Sequence, residues 1–372
     1  MRSRDDAVSV EWIDSNAALH DAFASAFDVL AVDTEFVRTN TYFPVPGLYQ
    51  IFTGDVVYLI DPLTIDAWDP LIRVLEDPQV VKVMHACQED IEMMYHHLDV
   101  TAANVFDTQF AHAFVSTDFS LSYANLVSQL LDVSLDKQET RSDWLQRPLS
   151  PEQLDYAVQD VTYLIPLYAQ LVDRLQDQGK WDWFNEDMLD RGTYTPVNPA
   201  EYYRNLKKAW RFSSHELARL QALCAWRERT AQEENVPRNR VVWDDHLFQF
   251  ARRNRLNAAD VQSALPRAVA RRYADQLVEL MAQMSGDTTA PPLDQPLNSR
   301  QGAMVKAMRV EGLRIAEQRA LAPELLCRKR DLEACVRAFL HSGELSELFQ
   351  SWRATLVGDT YLNILQTGTQ RG

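Results

Sequence analysis

The sequence predicts an α/β domain with a mixed sheet, followed by two small all-α helical bundles. Short β-branched or apolar runs alternate with helical patterns through the first 195 residues. Beyond residue 200, apolar residues recur at helical spacing and no comparable strand run appears. Two stretches break these patterns. One is Thr193-Tyr194-Thr195-Pro196-Val197-Asn198-Pro199; the other is the Pro/Thr/Asp-rich run over 285–296. They set three domains, over 1–195, 200–285 and 297–370.

Strand signals in the first domain fall at 8–13, 29–32, 49–52, 56–60 and 80–84. Thr53-Gly54-Asp55 separates two of these runs as a hairpin turn would, so an antiparallel pair is expected within the sheet. The chain turns helical after Glu89. From Pro151 onward Leu154, Val158, Val161, Leu164, Ile165, Tyr168, Leu171 and Leu175 mark one long helix ending near Gly179. In the second domain Leu217, Leu220, Leu223 and Cys224 begin one helical pattern, and Val261, Leu265, Val269, Tyr273 and Leu277 make another. In the third, Met304, Ala307, Met308, Leu313 and Ile315 do the same. The similar size and order of the two helical regions suggest a diverged tandem repeat, without a fixed period.

The chain of 372 residues carries 37 Lys and Arg against 53 Asp and Glu, a net charge of -16. Averaged in this way, the charge argues against a nucleic-acid partner, because phosphate binding rests on Lys and Arg. The average hides a split. Residues 1–200 hold 11 basic and 33 acidic residues; residues 201–372 hold 26 and 20. No apolar run is long enough to span a membrane, and the N-terminus lacks the apolar core of a signal peptide. The four cysteines, Cys87, Cys224, Cys327 and Cys335, form no Cys-x-x-Cys pair, as expected of reduced thiols in a cytoplasm.

The acids carry the chemistry. The 29–32 run leads into Asp33-Thr34-Glu35, where alternation puts Asp33 and Glu35 on one side of a strand end, an arrangement that can share hard divalent cations. Asp90 lies just inside the helix after the 80–84 strand, where an ordinary role near the helix dipole is the competing reading. Tyr156 and Asp160 are spaced i,i+4 and so share a helix face. Each piece alone is expected by chance. Their order along the chain is the informative part.

This order resembles the DEDD exonuclease superfamily, in its tyrosine subclass. Five stretches narrow the resemblance to bacterial ribonuclease D: Val32-Asp33-Thr34-Glu35-Phe36, His85-Ala86-Cys87-Gln88-Glu89-Asp90, Asn104-Val105-Phe106-Asp107, Leu135-Asp136-Lys137 with Arg141-Ser142-Asp143-Trp144, and Asp155-Tyr156-Ala157-Val158-Gln159-Asp160. That family also carries two HRDC domains after its exonuclease. Trp226-Arg227-Glu228-Arg229 with Val236-Pro237-Arg238 is similar to the first of them; Leu321-Ala322-Pro323-Glu324 with Trp352-Arg353 is similar to the second. The loop Tyr42-Phe43-Pro44-Val45-Pro46-Gly47-Leu48 departs from the family pattern by one extra proline.

The resemblance implies a ribonuclease H-like exonuclease fold and a metal-dependent 3′–5′ exoribonuclease that trims tRNA precursors at single-stranded 3′ ends and releases 5′-mononucleotides. Two divalent ions, Mg²⁺ or Mn²⁺, would sit about 3.5–4 Å apart. By the same resemblance Asp33 bridges both ions, Glu35 and Asp160 complete the nucleophile-side ion, and Asp90 holds the other through water. Tyr156 orients the attacking water. Arg38, Lys137 and Arg141, with Lys82 and Arg147, lie where they would meet phosphates; solvated surface charge is the alternative. Tyr42 and Phe43 are candidates to stack terminal bases, with loop packing as the alternative. His85 completes the candidate substrate contacts, against a packing or hydrogen-bonding role. A monomer without an obligate protein partner is expected. The same acids would serve a DNA 3′–5′ exonuclease, and a catalytically silent RNA-binding adaptor would use only the helical domains.

Overall fold

The computed structural model describes residues 8–135, 142–189, 191–284 and 288–370. A sheet of six strands, β1 (Ser9–Ile13), β2 (Val29–Val37), β3 (Val45–Phe52), β4 (Val56–Ile60), β5 (Val81–Met84) and β6 (Val105–Asp107), organises the first domain in the order β1-β4-β3-β2-β5-β6. β1 runs parallel to β4, β2 to β5 and β5 to β6, while β3 and β4 are antiparallel. The sheet is therefore mixed. At the β3–β4 turn Thr53 N donates to Val56 O at 3.1 Å, and Gly54 takes a φ of +94°, a region where a side chain is disfavoured. Interior strands of such sheets are covered on both faces, which is why Leu30, Ala31 and Val32 of β2 are all fully buried.

Around the sheet lie α1 (Asn16–Ala22), α2 (Asp69–Glu76), α3 (Gln88–Leu98), α4 (Thr108–Val115), α5 (Tyr123–Leu131), α6 (Pro151–Thr162), α7 (Leu164–Asp177) and α8 (Trp181–Met188). Three features differ from the sequence expectation. β2 continues to Val37, so Asp33 and Glu35 lie within the strand rather than at its end. β6 went unpredicted because three residues are too few to show alternation. The long helix after Pro151 is two helices meeting at Tyr163. Pro166 has no N–H to offer the turn before it and is tolerated only in a first helical turn, so a new helix starts just ahead of it.

The helical regions contain α9 (Ser214–Glu233), α10 (Arg238–Val241), α11 (Asp244–Ala251), α12 (Ala258–Ala264) and α13 (Arg267–Gln283), then α14 (Ser299–Gln318), α15 (Glu324–Cys327), α16 (Lys329–Ser342) and α17 (Asp359–Gln370). By compactness the chain forms two units. One joins the described residues up to Val37, Pro46–Tyr194 and those from Leu297 on; the other joins Arg38–Val45 with Thr195–Pro296.

Within the first unit, α14 to α17 share a core with the sheet domain. Trp352 stacks on Trp183 with ring centroids 5.0 Å apart, and Arg353 pairs with Asp187 at 2.5 Å. The buried Lys180 ammonium donates to the carbonyls of Phe114 (2.8 Å), Arg319 (2.7 Å) and Ala320 (3.0 Å). The helices beyond the 285–296 stretch thus pack on the sheet domain.

Within the second unit the 38–45 segment is part of the helical core. Tyr42 is 6% exposed; its hydroxyl donates to Glu228 Oε2 (3.2 Å) and accepts from Arg238 Nη2 (2.8 Å) and Gln232 Nε2 (3.1 Å). Asn235 Oδ1 accepts from the backbone N–H groups of Tyr42 and Phe43, each at 3.0 Å.

Candidate active site

β2 places the first two acids. Asp33 and Glu35 point to one side of the strand, and α6 brings Asp160 to them, so that one carboxylate oxygen from each lies within 4.8 Å of the others. Asp90 stands outside this trio, and its carboxylate accepts the hydroxyl of Thr34. Its position depends on the turn after β5. Ala86 there takes a φ of +54°, and its N–H donates to Asp107 Oδ1 at 3.0 Å. The same Asp107 oxygen caps α4 by accepting from Gln109 N (3.0 Å) and Phe110 N (3.2 Å), while Oδ2 accepts from Arg191 Nε (3.0 Å) and Nη2 (2.8 Å). Burial works to raise the Asp107 carboxyl, but Arg191, helped by His85 and the Ala86 N–H, holds the group below its ordinary value. One fully buried carboxylate thus fixes the turn that launches Asp90.

Electrostatically the site is overloaded with negative charge. Burial, then Asp160 and Asp90, push Glu35 up to about 8. Asp90 and Asp160 are each pushed up to about 7, chiefly by burial, against hydrogen bonds from Thr34 and Tyr156 respectively. Asp33 is raised by burial and by all three neighbouring acids. Crowded carboxylates of this kind bind protons unless a cation relieves them. Oxygen-only donors suit hard divalent ions, so Asp33, Glu35 and Asp160 fit such a metal, with Asp90 adjacent. Tyr156 donates its hydroxyl to Asp160, one turn on. Burial first, then the carboxylates, raise its own pKa, so it stays a phenol and acts as a hydrogen-bond donor.

The candidate RNA contacts are placed differently. Lys137 and Arg141 lie outside the described residues. Tyr42 is buried in the helical unit, where its hydroxyl is held by Glu228, Gln232 and Arg238 and Arg238 lies over its ring, so packing rather than stacking describes it. Phe43 meets it edge-on at 4.9 Å. Arg38 donates from Nε (3.1 Å) and Nη2 (3.0 Å) to Tyr42 O. Two cations read as phosphate contacts are engaged by protein partners, Lys82 in the interior and Arg147 half-buried. Lys82 is 0% exposed and donates to Asp77 O at 2.7 Å; Arg147 is paired with Asp61. In the helical unit, Arg252 lies over Phe212, Arg253 pairs with Asp260 and Arg272 with Glu234. The Thr108 hydroxyl donates to Met84 O at 3.0 Å and so accepts from His85 Nδ1 at 2.9 Å, which places the His85 proton on Nδ1. Burial lowers the His85 pKa.

Sequence reasoning missed Tyr123. Its hydroxyl donates to Gln159 O (2.9 Å) and accepts from Tyr163 N (3.3 Å), tying α5 to the joint between α6 and α7 directly beside Asp160. Nothing local marks it, since its partners lie 36 and 40 residues away.

Two acids on β2 of a mixed sheet, with Asp160 and Tyr156 from α6 and Asp90 from α3, form a carboxylate cluster able to hold a divalent metal, as a metal-assisted hydrolase requires. The 3′-5′ exonuclease family profile matches residues 10–176 and the HRDC domain profile matches 216–281. Ribonuclease D of Pseudomonas paraeruginosa is 38% identical, over 97% of this chain and 99% of the relative; that of Escherichia coli is 32% identical, over 95% and 96%. The crystal structure of Escherichia coli RNase D, described as an exoribonuclease involved in structured RNA processing, superposes with a TM-score of 0.88, at 32% identity, over 97% of this chain and 99% of that one. The catalytic core of RRP6 from Trypanosoma brucei shares the fold, with a TM-score of 0.58 at 23% identity over 74% of this chain and 80% of that one. The chain belongs to the ribonuclease D family and is a hydrolase of the exoribonuclease kind. Among the described residues no helix is long and apolar enough to cross a membrane.

Proposed function

We propose that this enzyme removes nucleotides one at a time from single-stranded 3′ ends of tRNA precursors, releasing 5′-mononucleotides by two-metal-ion hydrolysis. The observation that carries the reading is the trio of carboxylate oxygens within 4.8 Å, with Asp90 beside them and their pKa values raised. Two Mg²⁺ or Mn²⁺ ions would supply an activated water and charge neutralisation at the scissile phosphate. Asp33 would serve both ions, Glu35 and Asp160 would hold the nucleophile side, and Asp90 would hold the leaving-group side through water. Tyr156, kept protonated, orients the attacking water by hydrogen bonding.

The +5 charge of residues 201–285 supports strand binding by the helical unit. A cleft of about 950 Å³ in that unit is lined by Arg38, Lys207, Lys208, Tyr202 and Trp243, the last 59% exposed. Cations beside an exposed indole suit a single strand, whose phosphates and bases they meet in turn. The reading takes 297–370 as a second HRDC domain, and the enzyme as a cytoplasmic monomer, which sedimentation tests.

The test is a 5′-labelled tRNA carrying a 3′ extension, incubated with Mg²⁺, with Mn²⁺ and with EDTA. A one-nucleotide ladder that stops near the mature end and vanishes in EDTA is expected. Activity persisting in EDTA rejects the mechanism, faster turnover of a matched DNA strand rejects the substrate, and tight RNA binding without cleavage makes the chain an adaptor.

A further inference from the structure

The segment 142–149 leads into α6, the helix that carries Tyr156 and Asp160. One side chain fastens it to the sheet. Arg147 donates to Asp61 from Nε at 2.7 Å and from Nη2 at 2.6 Å. Nη2 also donates to Gly47 O at 2.7 Å, and Nη1 to Trp144 O at 2.9 Å and Gln146 O at 2.8 Å. A guanidinium has five N–H groups, and all five are used. Asp61 is itself held, because its Oδ1 accepts Leu63 N at 3.0 Å and it is only 3% exposed.

The far side of the same segment is set by Gly47 in β3. A Cβ at that position would lie 2.6 Å from Trp144 Cβ and 2.8 Å from Trp144 O. The Trp144 backbone therefore rests directly on the strand where only glycine leaves room. At its other end, Asp143 Oδ1 accepts Leu145 N at 3.0 Å and Asp143 O accepts Gln153 Nε2, from the first turn of α6, at 3.2 Å. What this framework presents is the Trp144 ring. It is 5% exposed and lies 6.1 Å from the Tyr156 ring, inclined by 38°.

A tyrosine hydroxyl sits at the end of a long lever, and a small rotation about its side-chain bonds moves the oxygen much further than the ring. With Trp144 fixed as a wall, the Tyr156 ring is limited in its swing and its hydroxyl stays on Asp160. We propose that Arg147, together with Gly47, is a positioning residue for the exonuclease reaction: it locks Trp144 behind Tyr156 and so sets where the phenol points. The proposal rests on the role given to Tyr156 above. It also explains an arginine at this position. Lysine matches the charge of Asp61, but its three N–H groups radiate from one nitrogen, so it cannot keep the two-pronged pair with Asp61 together with the bonds to Gly47, Trp144 and Gln146.

The experiment compares wild type, Arg147→Lys and Trp144→Phe, each with Tyr156 or Tyr156→Phe, on a 3′-extended RNA oligonucleotide at saturating Mg²⁺. Arg147→Lys keeps a cation beside Asp61, and Trp144→Phe serves should that variant fail to fold. Each is expected to lower kcat about tenfold with KM within about twofold, as small misplacements of a reacting group do. In the Tyr156→Phe background the same changes should cost less than about twofold, since the group they position is gone. An equal loss in both backgrounds overturns the proposal. A second readout needs no turnover. With 3-fluorotyrosine at position 156, the ¹⁹F resonance should shift or broaden in both variants, and an unmoved resonance likewise overturns it. An inactive wild type would reject the exonuclease reading, while the fluorine spectrum would still decide whether the wall exists.

Discussion

The hydroxyl of Thr34 donates to the carboxylate of Asp90. The residue between the two acids of β2 thereby holds the acid from α3, so a single turn of strand organises three of the four carboxylates. This bond favours the ionised form of Asp90 against the burial that raises it. Thr34→Val keeps the shape and removes the donor. A hydrogen bond to a charged group contributes about 1.5–3 kcal/mol, so kcat at limiting Mg²⁺ should fall roughly ten- to a hundredfold, with Thr34→Ser recovering most of it. Steady-state rates across an Mg²⁺ titration check this; a Thr34→Val enzyme matching wild type at every concentration would remove Thr34 from the site.

Asp33→Asn should lower kcat by roughly 10⁴-fold or more, because residues acting as a unit fail together. The same change should stabilise the metal-stripped protein. Asp33 is a buried carboxylate facing three others, and neutralising it relieves their repulsion. A thermal midpoint about 2 °C or more above that of wild type in EDTA is expected. A lower midpoint would mean that the cluster is held together by contacts of Asp33 rather than strained by its charge.

How much of this was legible before the structure depends on how local each feature is. The strand under Asp33 and Glu35 is written in Val29–Val32, and the Tyr156/Asp160 face is fixed by i,i+4 spacing; both follow from neighbours in sequence. The cations were another matter. Lys82 and Arg147 announce a charge, but their partners are carbonyls and a carboxylate brought in by the fold, so their pairing left no local trace. Tyr42 reads as an exposed loop aromatic only because its partners Glu228 and Arg238 lie 186 and 196 residues further on. Asp107 was visible as part of a motif, and its task of fixing the Ala86 turn emerged only with coordinates.

That placement of Tyr42 makes its own prediction. Tyr42→Phe keeps the ring and removes a hydroxyl that serves Glu228, Gln232 and Arg238. Leaving buried polar groups unpaired costs about 1–3 kcal/mol, so chemical denaturation of the helical unit should shift to lower denaturant. RNA affinity at fixed salt should stay unchanged. Weakened RNA binding with an unshifted midpoint would return Tyr42 to the substrate surface.

The raised acids set a pH dependence whose sign follows from proton counting. Glu35 is raised from 4.5 to about 8, and Asp90 and Asp160 from 3.8 to about 7. Between those limits the folded, metal-stripped protein holds protons that the unfolded chain has released. Folding stability from these groups is therefore fully present below about pH 4, declines as pH rises from there, and is lost above about pH 8. Cations compete with the same protons, so the rise in thermal midpoint on adding Mg²⁺ should be larger at pH 8 than at pH 6. Melting curves at the two pH values, with Mg²⁺ and with EDTA, test both signs; an Mg²⁺ effect larger at pH 6 would contradict the assignment of these carboxylates as ligands.

Salt dependence tests the cleft of the helical unit more cleanly than deletion does. Removing 201–285 would also strip the Tyr42 segment of its partners, since Arg38–Val45 belongs to the same unit. Lys207 and Lys208 are exposed and line the cleft, so reversing their charge leaves that core intact. Each phosphate contact on a single strand contributes about -0.7 to the slope of log K against log salt. Lys207→Glu with Lys208→Glu should therefore flatten the slope by about 1.4, measured by filter binding of a single-stranded RNA in EDTA, where no turnover intervenes. An unchanged slope would mean that the positive charge of this region is solvated surface, and that RNA is held elsewhere on the chain.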